Sequence, residues 1–190
     1  NGIDTDFFAP PAQRPEGSRL LCVARMAADK NHPLLLRAFA RVLTRKPKAE
    51  LHLVGEGPHK SRILSLAAAP ELRGRVHFHP GSTDLRPFLH SAQAFVLSSD
   101  QEGTPNVLME AMACGLPVAA TSVGGIPDLV LHEKTGLLSP RGHEEALAEN
   151  MLRLLANSDE REALGRAGAD RIRAGYSLQS MIDAHQRVYE

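Results

Sequence analysis

Short apolar runs alternate with segments of helical periodicity along most of this 190-residue chain. Six of the runs have the length and composition of buried strands, at residues 20–24, 51–54, 76–78, 94–97, 118–121 and 136–138. Helices are predicted at about residues 31–44, 59–69, 85–90, 105–115, 144–156, 160–174 and 178–189. This alternation indicates an α/β fold: a Rossmann-like parallel sheet of about six strands, with helices on both faces and right-handed crossovers.

Composition narrows the kinds of partner that the chain can have. Its 22 basic and 22 acidic residues give no net charge, so no global field attracts nucleic acid or an anionic membrane. Two cysteines, Cys22 and Cys114, lie in predicted core elements, which favours reduced thiols and a cytoplasmic location. No apolar run reaches the length of a membrane span, and no signal peptide is recognised. The first residue is Asn1, as expected for a piece of a longer polypeptide.

The chain divides into three regions. Residues 1–17 are rich in proline and polar side chains and are predicted to form an arm or interdomain linker. Residues 18–175 contain every predicted strand and form one domain, and residues 176–190 contain a last helix. No internal repeat or low-complexity segment interrupts this organisation.

The segment EGTPNVLME at residues 102–110 places two carboxylates around a predicted helix start. Thr104 is predicted to be the N-cap and Pro105 the first helical residue, where proline is well tolerated. The backbone N–H groups of residues 106–108 then point out of the helix end and form an anion-binding site. Glu102 precedes that end, and Glu110 lies about 7.5 Å along the axis from Pro105, at about 1.5 Å per residue. The spacing suits a nucleotide sugar, with the hexose near Glu102, the diphosphate on the amides and the ribose on Glu110.

Both glutamates also have an ordinary interpretation, Glu102 as a solvated loop charge and Glu110 as a surface helix residue. Glu110, however, shares a helical face with Val107, Ala111 and Cys114. A carboxylate on a face of small apolar residues usually has a partner, which favours the functional interpretation.

The polar residues that could bind a ligand follow predicted strands. They are Arg25 and Lys30, the turn at 55–58, the stretch 79–81, the loop at 102–106 and the glycine pair at 124–125. In a parallel sheet such strand ends meet at one edge, where ligands bind near the switch point. Arg25 and Lys30 converge before a helix and would bind a doubly charged group such as a diphosphate, although loops also commonly carry solvated cations.

Three other patterns give weaker indications. Residues 55–57 (GEG) lack the third glycine of a dinucleotide fingerprint, which would fall at Lys60, and are predicted to form a tight turn at the rim of the site. His77 and His79 share one face of a strand, but no third ligand is evident, so no metal site is predicted. Asp100 looks like part of an acidic metal-binding triplet, but the nearby cations reduce the need for Mg²⁺. No Ser-His-Asp or nucleophilic cysteine arrangement stands out.

These motifs together resemble a known family. The stretches EGTPNVLMEAMACGLPVAATSVGGIPDLV, VARMAADKNHPLLLRAF, LHLVGEGP and the opening NGID are similar to the C-terminal, nucleotide-sugar-binding half of GT-B enzymes in family four of the retaining glycosyltransferases. The resemblance covers essentially the whole chain, and the two glutamates combined with Arg25 and Lys30 are its most specific part. Ala24 departs from it, because the family more often has glycine before the arginine.

The resemblance implies roles for individual residues. Arg25 and Lys30 would bind the donor diphosphate and stabilise it as the leaving group, and Glu102 would contact the sugar hydroxyls; these are the three predicted catalytic residues. The predicted donor-binding residues are Gly57, His79, Pro80, Gly81, Gly103, Thr104, Pro105, Asn106, Val107, Leu108 and Glu110. Among them the stretch 79–81 would lie against the base, the backbone of 103–108 would hold sugar and phosphates, and Glu110 would bind the ribose.

The implied activity is transfer of a hexosyl group, with retention of configuration, from an NDP-sugar to a saccharide, lipid or other acceptor. No cofactor or metal is implied, and the donor is expected to be linked to UDP or GDP. An N-terminal half preceding NGID would bind the acceptor, pack against the helix at 176–190 and provide any peripheral membrane association. The isolated domain is therefore expected to bind donor without transferring sugar. Two alternatives stay open: a non-catalytic nucleotide-binding or regulatory module, and a GT-B-like epimerase or phosphorylase, although no lysine stands out as a carrier of pyridoxal phosphate.

Overall fold

The computed structural model describes residues 2–189 and contains a single six-stranded sheet. Its strands are β1 Arg19–Val23, β2 Glu50–Val54, β3 Val76–His79, β4 Ala94–Leu97, β5 Val118–Thr121 and β6 Leu137–Ser139. Its helices are α1 His32–Arg45, α2 Lys60–Ala67, α3 Arg86–Ser91, α4 Asn106–Ala113, α5 Ile126–Leu129, α6 Glu144–Ala156, α7 Ser158–Gly175 and α8 Leu178–Tyr189. Short 3-10 turns lie at Ala28–Lys30 and Pro70–Leu72.

The strands are all parallel and follow the order β3-β2-β1-β4-β5-β6. The order reverses between β1 and β4, so the loops after these two strands diverge to opposite sides and leave a crevice at the carboxyl edge. The sequence prediction of a Rossmann-like parallel sheet is confirmed.

Helices cover both faces of the sheet, which explains why the strands are continuously apolar. Leu20 and Cys22 of β1 point into one core, with Phe39 of α1, whereas Leu21 points into the other, with Phe95 of β4. All five side chains are at most 2% exposed. The large apolar side chains therefore fix the layer order, and the loops at the carboxyl edge remain available for binding.

The start of α1 shows how a loop of this edge is held. Asn31 adopts a left-handed conformation at φ 43°, and its side chain accepts a hydrogen bond from the N–H of Leu34 at 3.2 Å. Asparagine tolerates this backbone conformation better than most residues and is a preferred N-cap. The predicted start of this helix at about residue 31 is thus correct to within one residue.

The N-terminal arm is packed on the domain. Ile3 is 6% exposed and pairs with the start of the last helix, since its N–H donates to Tyr176 O and its carbonyl accepts from the N–H of Leu178. Arg14 donates to the carbonyl oxygens of Leu89, Ala92 and Cys114. Polar and proline-rich composition did not indicate these contacts, because their acceptors are backbone groups that lie 75 to 100 residues away.

The sequence did not predict α5, and several predicted ends of helices and strands differ from the observed ends by one or two residues. Helix α5 has only four residues, with a proline at its second position, so it has no helical periodicity to detect. The helix predicted to reach residue 69 ends at Ala67 and is followed by a 3-10 turn. Of the predicted terminal region 176–190, residue 190 lies outside the described residues. No helix within residues 2–189 combines the length and the apolar character needed to cross a bilayer.

His32 makes the fold sensitive to acid. It is 1% exposed at the first position of α1, and burial lowers the pKa of its imidazole to about 4. An unfolded histidine titrates near 6.5, so between these pKa values the unfolded chain binds a proton that the folded chain refuses. We expect the free energy of unfolding to fall by roughly 2 kcal/mol between pH 7.5 and 4.5 because of this group. Urea denaturation at the two pH values should show a smaller loss in His32→Gln than in the wild type.

His132→Gln is the matched control, because His132 is exposed and accepts its hydrogen bond from the N–H of Leu138 at 2.9 Å. A loss of stability in acid that is equal in the wild type, His32→Gln and His132→Gln would show that His32 is not responsible.

Candidate functional site

A cleft of about 460 Å³ opens at the carboxyl edge of the sheet, at the reversal of strand order between β1 and β4. Its floor is formed by the ends of β1, β2 and β4 (Val23, Val54 and Leu97). The remaining wall residues come from the segments that follow the strands, including the 3-10 turn before α1 and the first turn of α4: Ala24, Arg25, Lys30, Gly55, Glu56, Gly81, Ser82, Leu85, Glu102, Pro105 and Val107. Several residues chosen from sequence, including all three predicted catalytic residues, therefore line one cavity.

Lys30 and Glu102 meet in the wall of this cleft. Lys30 Nζ lies 2.8 Å from Glu102 Oε1, and Ser99 Oγ donates to the same oxygen at 2.6 Å. The side chain of Glu102 is only 8% exposed and that of Lys30 19%. A largely buried carboxylate must be paired to remain charged, so these contacts fix the loop that carries Glu102.

Arg25 is held much less tightly. Its side chain is 67% exposed, and its Nη2 lies 3.7 Å from Asp29 Oδ1, a long exposed ion pair that contributes little stability. Asp29 also lies 3.4 Å from Lys30 Nζ. The guanidinium can therefore turn toward an anion in the cleft at small cost.

Helix α4 begins one residue later than the sequence indicated. Pro105 is the N-cap, with φ −72° and ψ 114°, and its carbonyl accepts from the N–H groups of Leu108 at 3.1 Å and Met109 at 3.3 Å. The prediction that Thr104 caps the helix and that Pro105 is its first residue is wrong, because the extended ψ of Pro105 places the first helical turn after it. The prediction that the backbone N–H groups of residues 106–108 are free is wrong for Leu108, whose N–H donates to Pro105 O. Thr104 and Asn106 each take part in an interaction as well.

Helix α4 ends at Ala113, two residues before the predicted end at about residue 115. Cys114 is the C-cap, and Gly115 follows at φ 66°. The N–H of Gly115 donates to Met112 O and that of Leu116 to Ala111 O, which together form a Schellman motif. This motif ends α4.

Glu110 is half-buried on α4 and does not line the cleft. Desolvation by burial raises the pKa of its carboxyl. No cationic side chain within the described residues lies at ion-pair distance from it. A carboxylate that is desolvated without a compensating cation is suited to accept hydrogen bonds from a neutral donor such as a hydroxyl group.

The glycine pair after β5 supports the Glu102 loop from below. Gly124 has φ 51°, and a Cβ atom placed on it would lie 1.7 Å from the carbonyl oxygen of Glu102. The N–H of Gly125 donates to Gly103 O at 3.1 Å, and a Cβ there would lie 2.5 Å from that oxygen. Only glycine allows the two backbones to approach this closely.

The Gly55–Gly57 turn packs in the same way against the loop after β1. The N–H of Met26 donates to Glu56 O at 2.8 Å, and a Cβ on Gly57 would lie 2.5 Å from Met26 O. Gly55 and Glu56 line the cleft, whereas Gly57 lies behind them. The tight turn at the rim is thus present, with Gly57 in a supporting position.

The stretch 79–81 reaches the cleft only through Gly81. The ring of His79 is directed along the sheet, with its Nε2 2.9 Å from Nδ1 of His52. His77 and His79 share one face of β3, as predicted, and His52 of the neighbouring strand lies on that face as well.

The sequence did not indicate the structural role of the polar groups that hold the Glu102 loop. Ser99 is buried, and Thr121 Oγ1 donates to its carbonyl at 2.6 Å. Asp100 accepts from Asn31 Nδ2 at 3.0 Å and from Arg141 Nε at 3.2 Å, so it holds two loops together. The available signal was the change from apolar to polar residues directly after β4, since polar groups buried at a strand end need partners.

A six-stranded parallel sheet with helices on both faces and a reversal of strand order defines a Rossmann-like α/β domain. A sequence model of the glycosyl transferases group 1 family matches residues 17–157. The chain therefore belongs to the glycosyl transferases group 1 family.

Curated relatives are similar over most of the chain. A GDP-mannose-dependent alpha-(1-6)-phosphatidylinositol monomannoside mannosyltransferase of Mycobacterium tuberculosis is 33% identical over 199 aligned residues, which cover 95% of this chain and 52% of that protein. An N-acetyl-alpha-D-glucosaminyl L-malate synthase of Bacillus anthracis is 30% identical over 155 residues, covering 82% and 40% respectively. The chain thus spans about half the length, or less, of the curated relatives it matches.

Solved structures share the fold. Sucrose-phosphate synthase from Thermosynechococcus elongatus superposes with a TM-score of 0.87 at 31% identity, covering 99% of this chain and 50% of that one. The Rossmann-like sheet with helices on both sides matches domains of GT-B glycosyltransferases.

Proposed function

We propose that this chain is the donor-binding half of a retaining glycosyltransferase and that the cleft between β1 and β4 binds a nucleoside diphosphate sugar. The observation that carries the proposal is the convergence of Arg25, Lys30 and Glu102 with the start of α4 on one cavity. Family membership supports sugar transfer, and one of the similar proteins is named as dependent on GDP-mannose. No cofactor enters the proposal.

The two cationic side chains that line the cleft, Arg25 and Lys30, would contact the diphosphate. Arg25 is exposed and only loosely paired with Asp29, whereas Lys30 forms an ion pair with Glu102. Two cations beside a helix N-terminus stabilise a doubly charged group and the extra negative charge that develops as it leaves. Arg25 and Lys30 would therefore act on the leaving diphosphate.

The nearly buried Glu102 would bind the sugar. Its Oε1 is occupied by Lys30 and Ser99, so the other carboxylate oxygen would accept hydrogen bonds from sugar hydroxyl groups. Glu110 would accept from the ribose hydroxyls, for which a desolvated carboxyl without a cationic partner is suited. The division of roles places the hexose near the Glu102 loop and the nucleoside along α4.

Transfer needs an acceptor held about 3–3.5 Å from the reacting carbon and a site from which bulk water is excluded. The cleft of this domain is open on one side, so acceptor binding and closure are assigned to a second half of the enzyme. Positioning and charge stabilisation then supply the catalysis, with the departing phosphate receiving the acceptor proton. Two buried free cysteines agree with a reducing, cytoplasmic location, with any membrane association provided by the other half.

Removal of Arg25 should weaken nucleotide binding. Calorimetric titration of UDP and of GDP into the wild type and Arg25→Ala is expected to show a loss of about tenfold or more for the preferred nucleotide. Arg45→Ala is the matched control, because Arg45 of α1 is similarly exposed at 63% but pairs with Glu149 of α6, and neither residue lines the cleft. Equal affinities in the wild type, Arg25→Ala and Arg45→Ala would contradict the assignment.

The same titration separates the two glutamates. Glu110→Gln is expected to lower the affinity for the bare nucleotide. Glu102→Gln should leave that affinity unchanged and reduce only the additional affinity that the sugar of an NDP-sugar provides. If both variants lose affinity for the bare nucleotide equally, the proposed orientation of the donor is wrong.

A further inference from the structure

A cluster of imidazoles and one carboxylate lies on the sheet, at the pair of strands β2 and β3. Glu50 and His52 alternate along β2 and so share one face, and His77 of β3 lies opposite His52 in the parallel register. His52 Nε2 is 3.4 Å from Glu50 Oε2, and His77 Nε2 is 4.0 Å from Glu50 Oε1. One ligand atom from each of the three residues lies within 4.8 Å of the others.

We propose that Glu50, His52 and His77 form a three-ligand binding site for Zn²⁺, which ties the edge strand β3 to β2. Two histidines and a glutamate are a known zinc ligand set, with metal–ligand distances of about 2.0–2.2 Å. Tetrahedral geometry at those distances separates neighbouring ligand atoms by about 3.3 Å. The His52–Glu50 contact, at 3.4 Å, already has this separation, whereas His77 Nε2, at 4.0 Å from Glu50 Oε1, would have to move closer.

The state of the His77 ring supports the proposal. Its Nε2 atom is shielded from solvent and, within the described residues, has no hydrogen-bond partner. A shielded ring nitrogen without a partner costs free energy, and a metal ion bound to its lone pair would remove that cost. The remainder of the side chain is 39% exposed, so an ion can enter from solvent.

His79 supplies an outer contact to the cluster. Its Nε2 lies 2.9 Å from Nδ1 of His52. With Nε2 of His52 on the metal, the Nδ1–H donates to His79, which fixes the tautomer and the ring orientation. Metal-bound histidines generally have such a partner on their second nitrogen.

Arg19 limits the strength of the site. Its Nε lies 4.0 Å from Glu50 Oε2, so a positive charge already faces the carboxylate. Because this guanidinium repels an incoming cation, we expect a dissociation constant in the micromolar range, weaker than that of buried structural zinc sites. Sequence reading of the pair His77 and His79 missed the site, because two of its three ligands belong to the neighbouring strand.

The test is titration of ZnCl₂ into the 190-residue chain after removal of adventitious metal with a chelator and dialysis. We expect binding of one ion per chain and a melting temperature that rises with the concentration of free Zn²⁺. His77→Gln should weaken the binding at least tenfold and abolish the rise, while its melting temperature without metal shows that it is folded. His59→Gln, which changes a histidine of the loop before α2, should bind zinc like the wild type.

Titration with Co²⁺ adds a readout that a surface histidine would not give. A tetrahedral site with nitrogen and oxygen ligands is expected to produce intense visible absorption bands in the wild type and in His59→Gln but not in His77→Gln. Zinc binding of equal affinity in His77→Gln and the wild type, or an octahedral cobalt spectrum in the wild type, would overturn the proposal.

Discussion

Gly124→Ala is expected to abolish nucleotide-sugar binding and to lower the free energy of unfolding by roughly 3 kcal/mol. Gly124 has φ 51°, and an added Cβ would lie 1.7 Å from the carbonyl oxygen of Glu102. The backbone of the Glu102 loop cannot yield without breaking the contacts of Glu102 with Lys30 and Ser99. Calorimetric titration of UDP-sugar and GDP-sugar, together with urea denaturation, measures both effects.

The variant Gly142→Ala distinguishes the effect of backbone strain from that of the steric clash expected in Gly124→Ala. Gly142 has φ 70°, but nothing lies within 4 Å of a Cβ placed there. This variant should lose only the conformational strain, about 1 kcal/mol, and should bind the nucleotide sugar normally. If Gly124→Ala and Gly142→Ala behave alike in both measurements, close packing under the Glu102 loop does not matter to the site.

Lys30→Met is expected to destabilise the chain by roughly 2–4 kcal/mol, because it leaves the 8%-exposed carboxylate of Glu102 without a cation. Glu102→Gln should cost less, since Lys30 keeps Asp29 at 3.4 Å and remains partly exposed. The double variant Lys30→Met/Glu102→Gln should be more stable than the sum of the single losses predicts, with a coupling free energy of about 1–3 kcal/mol. Urea denaturation of all four proteins gives this cycle directly.

An exposed lysine–glutamate pair provides the comparison. Lys60 Nζ lies 2.7 Å from Glu56 Oε1, with side-chain exposures of 37% and 53%. Lys60→Met should change stability by at most about 0.5 kcal/mol, as is typical of surface ion pairs. A cost for Lys30→Met no larger than that for Lys60→Met would mean that the pair in the cleft is effectively solvated.

The fold was predictable from sequence because its signals are local. Each strand is a short apolar run between turn residues, as in Ala94–Leu97, whose predicted bounds equal the observed ones. A sheet that is covered by helices on both faces needs strands that are apolar throughout, and parallel strands need a helix in each connection. The spacing of apolar residues along the chain therefore predicts most of the architecture. Helix α5 was missed because its four residues form little more than one turn, which is too short for an apolar pattern to repeat.

The sequence predicted those site residues that are charged and follow a predicted strand. Arg25, Lys30 and Glu102 follow strands, and the parallel order carries them to the same cleft. The pairing of Lys30 with Glu102 could not be predicted, because it depends on how two loops 72 residues apart are packed. The start of α4 was misplaced by one residue because proline is acceptable both at the N-cap and at the first helical position, and only the backbone angles distinguish the two.

The pairing of Ile3 with Tyr176 and Leu178 also limits how the N-terminal arm can move. The arm and the last helix are joined side by side and anchored to the same body, with Arg14 holding the arm at three carbonyls. In an enzyme that closes over its substrate, rotation takes place at the few residues that are not fastened to either rigid part. Because these contacts fasten both segments, the arm from Ile3 onward and the start of the last helix are expected to move with this domain as one rigid body.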